Sequence, residues 1–491
     1  MSSTGHLDMS GTGDLDMSGA GLKKGVGPRR GPTESGRPPA GGAGPRSYVI
    51  YAPTPWESPR QPAHNLADAL AVEHSVLYVD PPLSPLSPIR YGLRSVTWPW
   101  LRAVLDPRLR TYGRVRVLSP LALPPVAHPR MRTLSLPLLR AQIRFAVAQA
   151  QLERPVVLAW RGIPELSGVA GESLRVAVVM DHPAAGAPLL GRDPAELEAE
   201  TSALCAASEL ICTTSYPMHE LLAERRWESE LVPFGFPADL IGAFDGAAEP
   251  PEYAGLPRPL LGYTGGIDDR LDYDLILRLA DHFSDGSLVF IGPVSPRLSA
   301  SARAALAGRA NVHLLGVRPR TRLPAYVRYL DVALMPYADS LWTRHQSPMK
   351  FWEYLYAGPP IVGVGSAELR RYPPPLMNYA DTADSALAMV EQALADPGAG
   401  REERRRFALA NTWDDRATQL DALVSERLNA GAHALGDGTE AGLGTAEAGV
   451  GNREAGLRTA KEGPASTDLA SSGPSNRGTF NNGTPTPTSV R

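Results

Sequence analysis

The sequence lacks a long apolar run, a secretory signal and a large net charge, three features that would indicate a membrane, secreted or nucleic-acid-binding protein. No segment reaches the run of about 18–20 apolar residues that a membrane helix needs, so no membrane-spanning helix is predicted. The amino terminus has no basic region followed by an apolar one, so no secretory signal is predicted either. A net charge of -3 and a pI of about 6.4 provide no overall field that would attract nucleic acid or an anionic membrane. These absences predict a cytoplasmic protein without a nucleic-acid partner.

Cysteine is equally scarce. The chain of 491 residues contains only Cys205 and Cys212. Two cysteines do not make a disulfide framework, and no second pair completes a zinc site. We expect both to be buried, reduced thiols. No pair of aspartates that would bind a divalent metal is recognisable at a strand end, so no metal is predicted.

Two terminal segments lack apolar periodicity. Residues 1–45 are rich in Gly, Ser, Pro and Thr, and residues 431–491 are rich in Gly, Ala, Thr, Ser and Asn. Neither composition buries enough apolar surface to offset the conformational entropy of the chain. Both tails are therefore predicted to be disordered, and the folded part is predicted to be 46–430.

Short apolar runs alternate with helical patterns in 46–430, which is typical of parallel α/β sheets. The predicted strands are 48–51, 75–80, 115–118, 155–160, 175–181 and 210–215 in a first series, and 260–265, 287–292, 312–316, 332–336 and 360–363 in a second. The acidic, Pro-rich stretch Glu249–Tyr253 separates the two series. The pattern predicts two Rossmann-like domains, 46–248 and 249–430, with a cleft between them.

The segment from Ser347 to Gly363 is the most informative in the chain. Its Ser-Pro start predicts a helix, and Gly358 predicts the helix end. Lys350 and Glu353 are three apart, so they share one face near the helix N-terminus. That terminus favours anions, and the lysine adds a point charge for phosphate. A glutamate one turn later is able to accept hydrogen bonds from ribose hydroxyls. The segment predicts a nucleotide-diphosphate site; the alternative is an ordinary surface helix.

This segment resembles the nucleotide-sugar signature of GT-B glycosyltransferases, especially the bacterial group that builds cell-surface polysaccharides. The matching residues are Ser347, Pro348, Lys350, Glu353, Tyr354, Gly358, Pro360 and Val362. The resemblance implies a GT-B fold, a nucleotide-diphosphate sugar as donor substrate, and a glycan or lipid-linked acceptor. It also implies contact with the membrane only from the periphery and no separate cofactor. Lys350 and its helix would stabilise the leaving diphosphate, and Glu353 would bind the ribose.

The chain departs from the family pattern at one position. Many members that retain the anomeric configuration carry two glutamates separated by seven residues. Counting back from Glu353, the first of these positions is His345. The usual acceptor of hydrogen bonds from the donor sugar is therefore replaced, although transfer of a hexose with retention is still what the resemblance implies.

Two further loops of the second series supply candidates for the donor site. Gly265 and Gly266 follow the first strand, where paired glycines permit a tight turn and a close backbone approach to phosphate. Arg270, in the same loop, is the basic candidate for the diphosphate. Arg344 and His345 are the polar candidates of loop 338–347, which should approach the donor sugar. A plain turn at the glycines and solvent exposure of the two polar side chains are the alternatives.

Asp181 and His182 end an apolar strand of the first series. The resembling families place an acidic residue or a histidine there, facing donor and acceptor. The pair would act as a general base or an electrostatic stabiliser. The alternative is a turn, because Pro183 follows and aspartate favours turn starts.

Two other functions compete with sugar transfer. A non-catalytic protein of the same fold, acting as a scaffold or regulator of polysaccharide assembly, would be consistent with His345 and with long disordered tails. The intact pair Lys350 and Glu353 opposes that reading. An epimerase of the same fold is the third hypothesis, although no clear set of carboxylates and histidines marks that chemistry.

Overall fold

The computed structural model describes residues 44–84, 109–123, 129–160, 163–187 and 192–440. The predicted disordered tails 1–45 and 431–491 lie largely outside these residues. At the carboxyl end the last helix runs to Glu440, past the predicted end of the folded part at 430. The compact unit described below ends at Leu435.

The first half of the chain builds an eight-stranded sheet. Its strands are β1 (Ser47–Tyr51), β2 (Ser75–Val79), β3 (Arg110–Tyr112), β4 (Val115–Leu118), β5 (Val156–Ala159), β6 (Leu174–Val179), β7 (Leu210–Thr213) and β8 (Glu230–Leu231). They lie in the order β3-β4-β2-β1-β5-β6-β7-β8. The strands pair in parallel, except that β3 pairs antiparallel with β4. Reversal of strand order on either side of β1 places a crevice at the carboxyl ends of the strands.

The second half builds a six-stranded parallel sheet. Its strands are β9 (Leu260–Thr264), β10 (Ser287–Ile291), β11 (Val312–Gly316), β12 (Val332–Pro336), β13 (Ile361–Val364) and β14 (Asn378–Tyr379). Their order is β11-β10-β9-β12-β13-β14. Here the order reverses between β9 and β12, so the ends of these two strands form the corresponding crevice.

Helices cover the two sheets. They are α1 (Pro62–Leu70), α2 (Pro129–Gln149), α3 (Pro194–Ala206), α4 (Tyr216–Glu224), α5 (Ile241–Asp245), α6 (Tyr273–His282), α7 (Ala300–Ala307), α8 (Leu323–Arg328), α9 (Leu341–His345), α10 (Met349–Ala357), α11 (Ala383–Ala395), α12 (Arg401–Leu409) and α13 (Trp413–Glu440). The α/β class with two Rossmann-like parallel sheets is thus confirmed. Every predicted strand is present to within a few residues. Most are buried apolar runs, whereas β11 is only partly buried and Leu314 in it is exposed.

The sequence patterns missed three short strands. Strands β3, β8 and β14 have only two or three residues each and lie at or near a sheet edge. None contains enough apolar residues to form a recognisable run. Their positions are set by the neighbouring strand and not by their own composition.

The carboxyl-terminal helix returns to the first sheet. Thr412, just before α13, forms an isolated bridge with Phe236, and Trp413 N donates to Phe236 O over 3.1 Å. Farther along, Asp421 accepts two hydrogen bonds of 2.6 Å from Arg46. A Cβ at Gly235 would lie 2.5 Å from the Thr412 carbonyl carbon, so this approach requires glycine. The predicted domain boundaries at 248 and 430 assume that each domain is one continuous stretch of chain, and they remain predictions.

The residues between the sheets are ordered. Pro251–Tyr253 form a 3-10 turn, and Tyr253 is buried with its hydroxyl donating to Tyr326 O over 2.9 Å. The predicted linker is therefore anchored to the second half of the chain. Both cysteines are buried and unpaired, as predicted. No helix among the described residues is long and apolar enough to cross a membrane.

Candidate functional site

Lys350 lies in the first turn of α10, at the carboxyl edge of the second sheet. The helix begins after Pro348 and ends at Gly358, whose φ of 93° is the left-handed conformation that glycine adopts readily. The Lys350 Nζ donates to the hydroxyls of Tyr263 over 2.8 Å and of Tyr337 over 3.1 Å. It also lies 4.1 Å from the centre of the Tyr263 ring. These contacts hold the ammonium over the ends of β9 and β12.

The loop after β9 accommodates this lysine because it begins with glycine. Gly265 has a φ of 139°, and a Cβ there would lie 2.7 Å from Lys350 Nζ. Burial first, and then the nearby Arg270 guanidinium, lower the pKa of Lys350 to about 7. A phosphate brought to this position would supply the negative charge that the lysine lacks. The glycine loop and Lys350, each predicted separately for the donor site, therefore lie against one another.

Arg270 forms an ion pair with Asp268 of its own loop. Its Nε and Nη2 donate to the two carboxylate oxygens of Asp268 over 2.9 and 2.7 Å. Its guanidinium carbon also lies 5.6 Å from the centre of a Trp342 ring. Burial opposes the charged form of Asp268, but the hydrogen bonds and charge of Arg270 outweigh it and lower the pKa of Asp268. A phosphate that used Arg270 would have to compete with Asp268.

Glu353 lies one turn after Lys350 and is half-buried. Burial raises the pKa of its carboxyl group, against the opposing charges of Arg320 and Lys350. Within the described residues, no side-chain hydrogen bond satisfies this carboxylate. The Glu353 carboxylate is thus free to accept hydrogen bonds from a bound ligand. Ser347, the other candidate of this segment, is half-buried just before the helix.

Asp181 and His182 approach from the first sheet, just after β6. The Asp181 side chain is exposed to solvent, yet desolvation by the surrounding protein raises the pKa of its carboxyl group to about 6, with Arg270 opposing the rise. The influence of Arg270 places the two predicted groups, one from each half of the chain, near each other.

His182 is buried and faces the second half of the chain. Its ring centre lies 4.9 Å from that of His345, and its Nδ1 is buried without a hydrogen-bond partner. Burial, and then the charge of His345, lower the pKa of His182. His182 also caps a 3-10 turn, Pro183–Gly186. The turn predicted as the alternative to a catalytic role is therefore present, and the His182 ring also faces His345 of the second half.

The two polar candidates of loop 338–347 differ in their surroundings. The Arg344 guanidinium is exposed and pairs with Asp339, with Nη2 donating to Oδ2 over 2.6 Å. His345 instead donates from Nδ1 to Leu341 O over 2.8 Å, and its ring lies 4.9 Å from that of His182. Its carbonyl oxygen accepts a 2.8 Å hydrogen bond from Ser215. The structure thus brings His345, and not Arg344, to the predicted reacting face.

Sequence reasoning missed the aromatic lining. Tyr263, Tyr337 and Trp342 contact Lys350 or Arg270, and none was a candidate. Tyr354 had been matched to the family pattern, and its hydroxyl accepts from Thr264 N over 2.7 Å, which ties α10 to β9. The available signal was positional: Tyr263 and Tyr337 occupy the ends of two adjacent parallel strands, where ligands gather.

A buried glutamate helps to join the two halves beside the site. Glu368 is 1% exposed, and its Oε2 accepts from Tyr216 N at the start of α4 over 2.9 Å. Arg371 lies over the ring of Tyr216, at 3.9 Å from its centre. Ser215 is the N-cap of α4, since its hydroxyl accepts from Met218 N. No cluster of three or more potential metal ligands occurs among the described residues, and the predicted absence of a metal remains a prediction.

Two Rossmann-like parallel-sheet domains, each with a crevice where its strand order reverses, define the GT-B fold. Solved structures agree. The chain is similar to a sucrose-phosphate synthase from Thermosynechococcus elongatus, with 17% identity, a TM-score of 0.56, and coverage of 79% of this chain and 100% of that chain. It is also similar to a UDP-forming α,α-trehalose-phosphate synthase from Burkholderia xenovorans, with 13% identity, a TM-score of 0.53, and coverage of 78% and 99%. At these identities the likeness establishes the fold alone.

One similarity is visible in the sequence itself. Over 224 residues the chain is 26% identical to TuaH of Bacillus subtilis (strain 168), a glycosyltransferase provisionally assigned to teichuronic acid biosynthesis. The match covers 44% of this chain and 56% of TuaH, so the chain spans little more than half of that relative. No family model matches the chain. The resemblance to GT-B glycosyltransferases predicted from Ser347–Gly363 is confirmed by these similarities.

Proposed function

We propose that the chain transfers a hexose from a nucleotide-diphosphate sugar to a glycan or lipid-linked acceptor in the synthesis of a cell-surface polysaccharide. The observation that carries the proposal is the Lys350 ammonium, held in the first turn of α10 directly against Gly265. A helix N-terminus, a glycine loop and a lysine converge on one point. That combination suits a diphosphate, because backbone N–H groups and a point charge act together.

The proposed reaction breaks the bond between the sugar C1 and the diphosphate and forms a bond from C1 to an acceptor hydroxyl. Lys350 and the α10 N-terminus would take up the negative charge that develops on the leaving diphosphate. Glu353 would accept hydrogen bonds from the ribose. Asp181 or His182 would act at the sugar, where the acceptor proton must be removed. No metal or other cofactor enters this scheme.

We further propose that the anomeric configuration is retained, as in the family that the sequence resembles. The two imidazoles at His182 and His345 would surround the sugar on the side where many members have a glutamate. Proton NMR of the product formed from an α-linked donor reads this outcome directly. An α-linked product supports retention, and a β-linked product rejects it.

The experiment that tests donor binding is a thermal-shift panel of UDP-, GDP- and ADP-sugars on the full chain. A ligand that binds only the folded state raises the melting temperature in proportion to the logarithm of its concentration over its dissociation constant. Stabilisation by one nucleotide class, lost in Lys350→Ala, is the expected result. Failure of all three classes to stabilise the protein would reject the proposal.

His345 favours a second candidate, a non-catalytic protein that binds the nucleotide sugar and regulates assembly of the polysaccharide. Donor binding alone does not separate the two functions. Release of nucleotide diphosphate from the stabilising donor does, because only the enzyme turns the donor over. Binding without release, tested with extracts of glycan and lipid acceptors, would favour the regulator.

A further inference from the structure

The carboxylate of Glu198, on helix α3, lies beside the His182 ring. Its Oε1 is 3.9 Å from His182 Nδ1, which is longer than a hydrogen bond but close enough to become one after a small movement. Nδ1 is buried and has no hydrogen-bond partner within the part of the chain that the structure describes. A buried ring N–H without an acceptor is costly. The adjacent Glu198 carboxylate therefore fits this nitrogen as an acceptor.

Arg225 fixes the Glu198 carboxylate in this position. Its Nη1 donates to Oε2 over 2.5 Å and its Nη2 donates to Oε1 over 3.0 Å, so the ion pair is bidentate. A carboxylate oxygen has two lone pairs, so Oε1 is still able to accept from His182. The Glu198 side chain is 28% exposed and that of Arg225 31%. The pair thus keeps a charged carboxylate, still in contact with water, against a buried imidazole.

Helix α4 connects this ion pair to the second half of the chain. Arg225 directly follows the last residue of α4. Before the other end of the helix, the Ser215 hydroxyl donates to the His345 carbonyl oxygen over 2.8 Å. One helix therefore carries at its start the contact with His345 and at its end the arginine that holds Glu198. The carboxylate is positioned by the same element that positions the second histidine.

The charges around His182 have different signs. Helices α3 and α9 pack against the turn Pro183–Gly186 that follows this residue. Burial first, and then the charge of His345 on α9, lower the pKa of His182, and Arg225 adds to this effect. Glu198 on α3 acts in the opposite direction and raises the pKa. Glu198 is thus the group that favours a proton on His182.

We propose that Glu198 is a positioning residue, whose carboxylate accepts a hydrogen bond from the Nδ1–H of His182 and leaves Nε2 as the base for the acceptor hydroxyl. A neutral imidazole has its proton on one nitrogen, and the hydrogen bond made there determines which one. Arg225 enters only by holding Glu198.

The proposed step rests on the proposed function. As Nε2 takes the proton of the acceptor hydroxyl, the oxygen forms a bond to the sugar C1, and the bond from C1 to the diphosphate breaks with its electron pair on the diphosphate. His182 is then an imidazolium, and its Nδ1–H lies against the negative Glu198, which stabilises it. The hydrogen bond itself does not depend on the reaction and is tested separately.

NMR of the full chain without substrate tests the hydrogen bond. Labelling with ¹⁵N-histidine gives signals from 10 residues, and the signal absent in His182→Gln belongs to His182. The neutral ring should carry its proton on Nδ1 in the wild type and lose that preference in Glu198→Ala. Glu198→Gln keeps an acceptor but no charge, so the pKa of His182 should fall further in this variant.

Glu200→Gln is the matched control. Glu200 lies on the same helix, its side chain is 26% exposed, and it accepts hydrogen bonds of 2.8 and 3.0 Å from Arg192, much as Glu198 does from Arg225. This variant should leave the His182 signal unchanged. An unchanged His182 in both Glu198 variants, or the same change in Glu200→Gln, would overturn the proposal.

Sugar transfer provides a second measurement. Glu198→Gln should reduce kcat by about tenfold or more and leave KM for the donor nearly unchanged. Because the pKa of His182 falls in this variant, the acid limb of the pH profile should move to lower pH, which a general loss of structure would not cause. Glu200→Gln should behave as the wild type does. Wild-type kcat and an unmoved acid limb in Glu198→Gln would overturn the positioning role. A wild-type chain that transfers no sugar would instead contradict the proposed function, and NMR would still decide whether Glu198 holds His182.

Discussion

The imidazole rings of His182 and His345 lie 4.9 Å apart, one at the end of the first sheet and the other at the end of α9. Burial and the proximity of His345 lower the pKa of His182. A neutral His182 is suited to accept a proton from an acceptor hydroxyl. The pair occupies the position where the two halves of the chain face the proposed sugar.

Replacing Asp181 by Asn and His182 by Gln, one at a time, should leave the donor dissociation constant nearly unchanged. At least one replacement should reduce sugar transfer by about a hundredfold or more, the usual scale for a lost acid–base group. Calorimetry and a transfer assay measure the two quantities separately. Wild-type rates in both variants would leave Asp181-His182-Pro183 as a turn without a catalytic role.

Lys350→Ala should weaken binding of the nucleotide diphosphate by more than tenfold. A charge-assisted hydrogen bond to phosphate contributes roughly 1.5–3 kcal/mol. Lys350→Met is the matched variant, since it keeps the apolar stem against Tyr263 and Tyr337 but has no charge. Titration calorimetry should give similar losses for both. Unchanged affinity would remove this residue from the site.

The lowered pKa of Lys350 predicts a pH dependence. In the unfolded chain an ordinary lysine titrates at about 10.4, whereas Lys350 titrates at about 7 in the folded protein. The unfolded state therefore binds more protons between these values, and stability of the ligand-free protein should rise with pH across that interval. Diphosphate favours the charged lysine, so affinity should fall as pH rises above about 7, and binding should take up a proton.

The scarcity of lysine in the sequence makes the pKa of Lys350 straightforward to measure. Lys350 is the only lysine between Lys24 and Lys461. Reductive ¹³C-methylation retains the charge and labels each lysine for NMR, so one signal reports on the folded region. Titration of that signal near 10, without change on adding nucleotide diphosphate, would contradict the prediction.

Glu353→Gln should weaken donor binding, because the amide keeps the shape but loses the anionic acceptor. Burial raises the pKa of Glu353, so the neutral amide should not lower the stability of the ligand-free protein. A 2′-deoxyribose donor is the matched probe. The wild type should bind the 2′-deoxyribose donor more weakly than the ribose donor. Glu353→Gln should bind the two donors with nearly equal affinity. The same further loss in both proteins would show that Glu353 does not bind the ribose.

Gly265→Ala should lose donor affinity, since a Cβ there would lie 2.7 Å from Lys350 Nζ. Strain at a positive φ adds a stability cost of about 1–3 kcal/mol. Gly171→Ala is the control, because its φ is 67° and a Cβ would meet nothing within 4 Å. Both variants should melt at lower temperature, but only Gly265→Ala should weaken binding. Equal affinities in the two variants would exclude a role for the approach at Gly265.

The sequence predicted those parts of the fold that local pattern determines. Buried strands such as β9 and β12 are continuous apolar runs. Pro348 and Gly358 mark the beginning and the end of α10 in the sequence. The edge strands and the return of α13 to Phe236 were missed, because they depend on contacts between residues far apart in the chain.

The candidate site divides in the same way. Lys350, Glu353 and Gly265 followed from a motif with fixed spacing. The binding of Arg270 by Asp268, the outward position of Arg344 and the tyrosines under Lys350 follow from how loops meet at the sheet edge, which spacing does not encode. The site roles themselves remain predictions until the variants above are measured.

The bridge between Phe236 and Thr412 has a mechanical consequence. The chain passes between the two sheets once before β9 and once before α13, and the hydrogen bonds of Phe236 with Asn411 and Trp413 tie these two passages side by side. Two adjacent passages tied by hydrogen bonds would act as a pivot if the two halves moved relative to one another. Any rotation that widened the gap between His182 and His345 would have its axis near Gly235, where a close backbone approach leaves no room for a side chain, and its largest displacement far from that point.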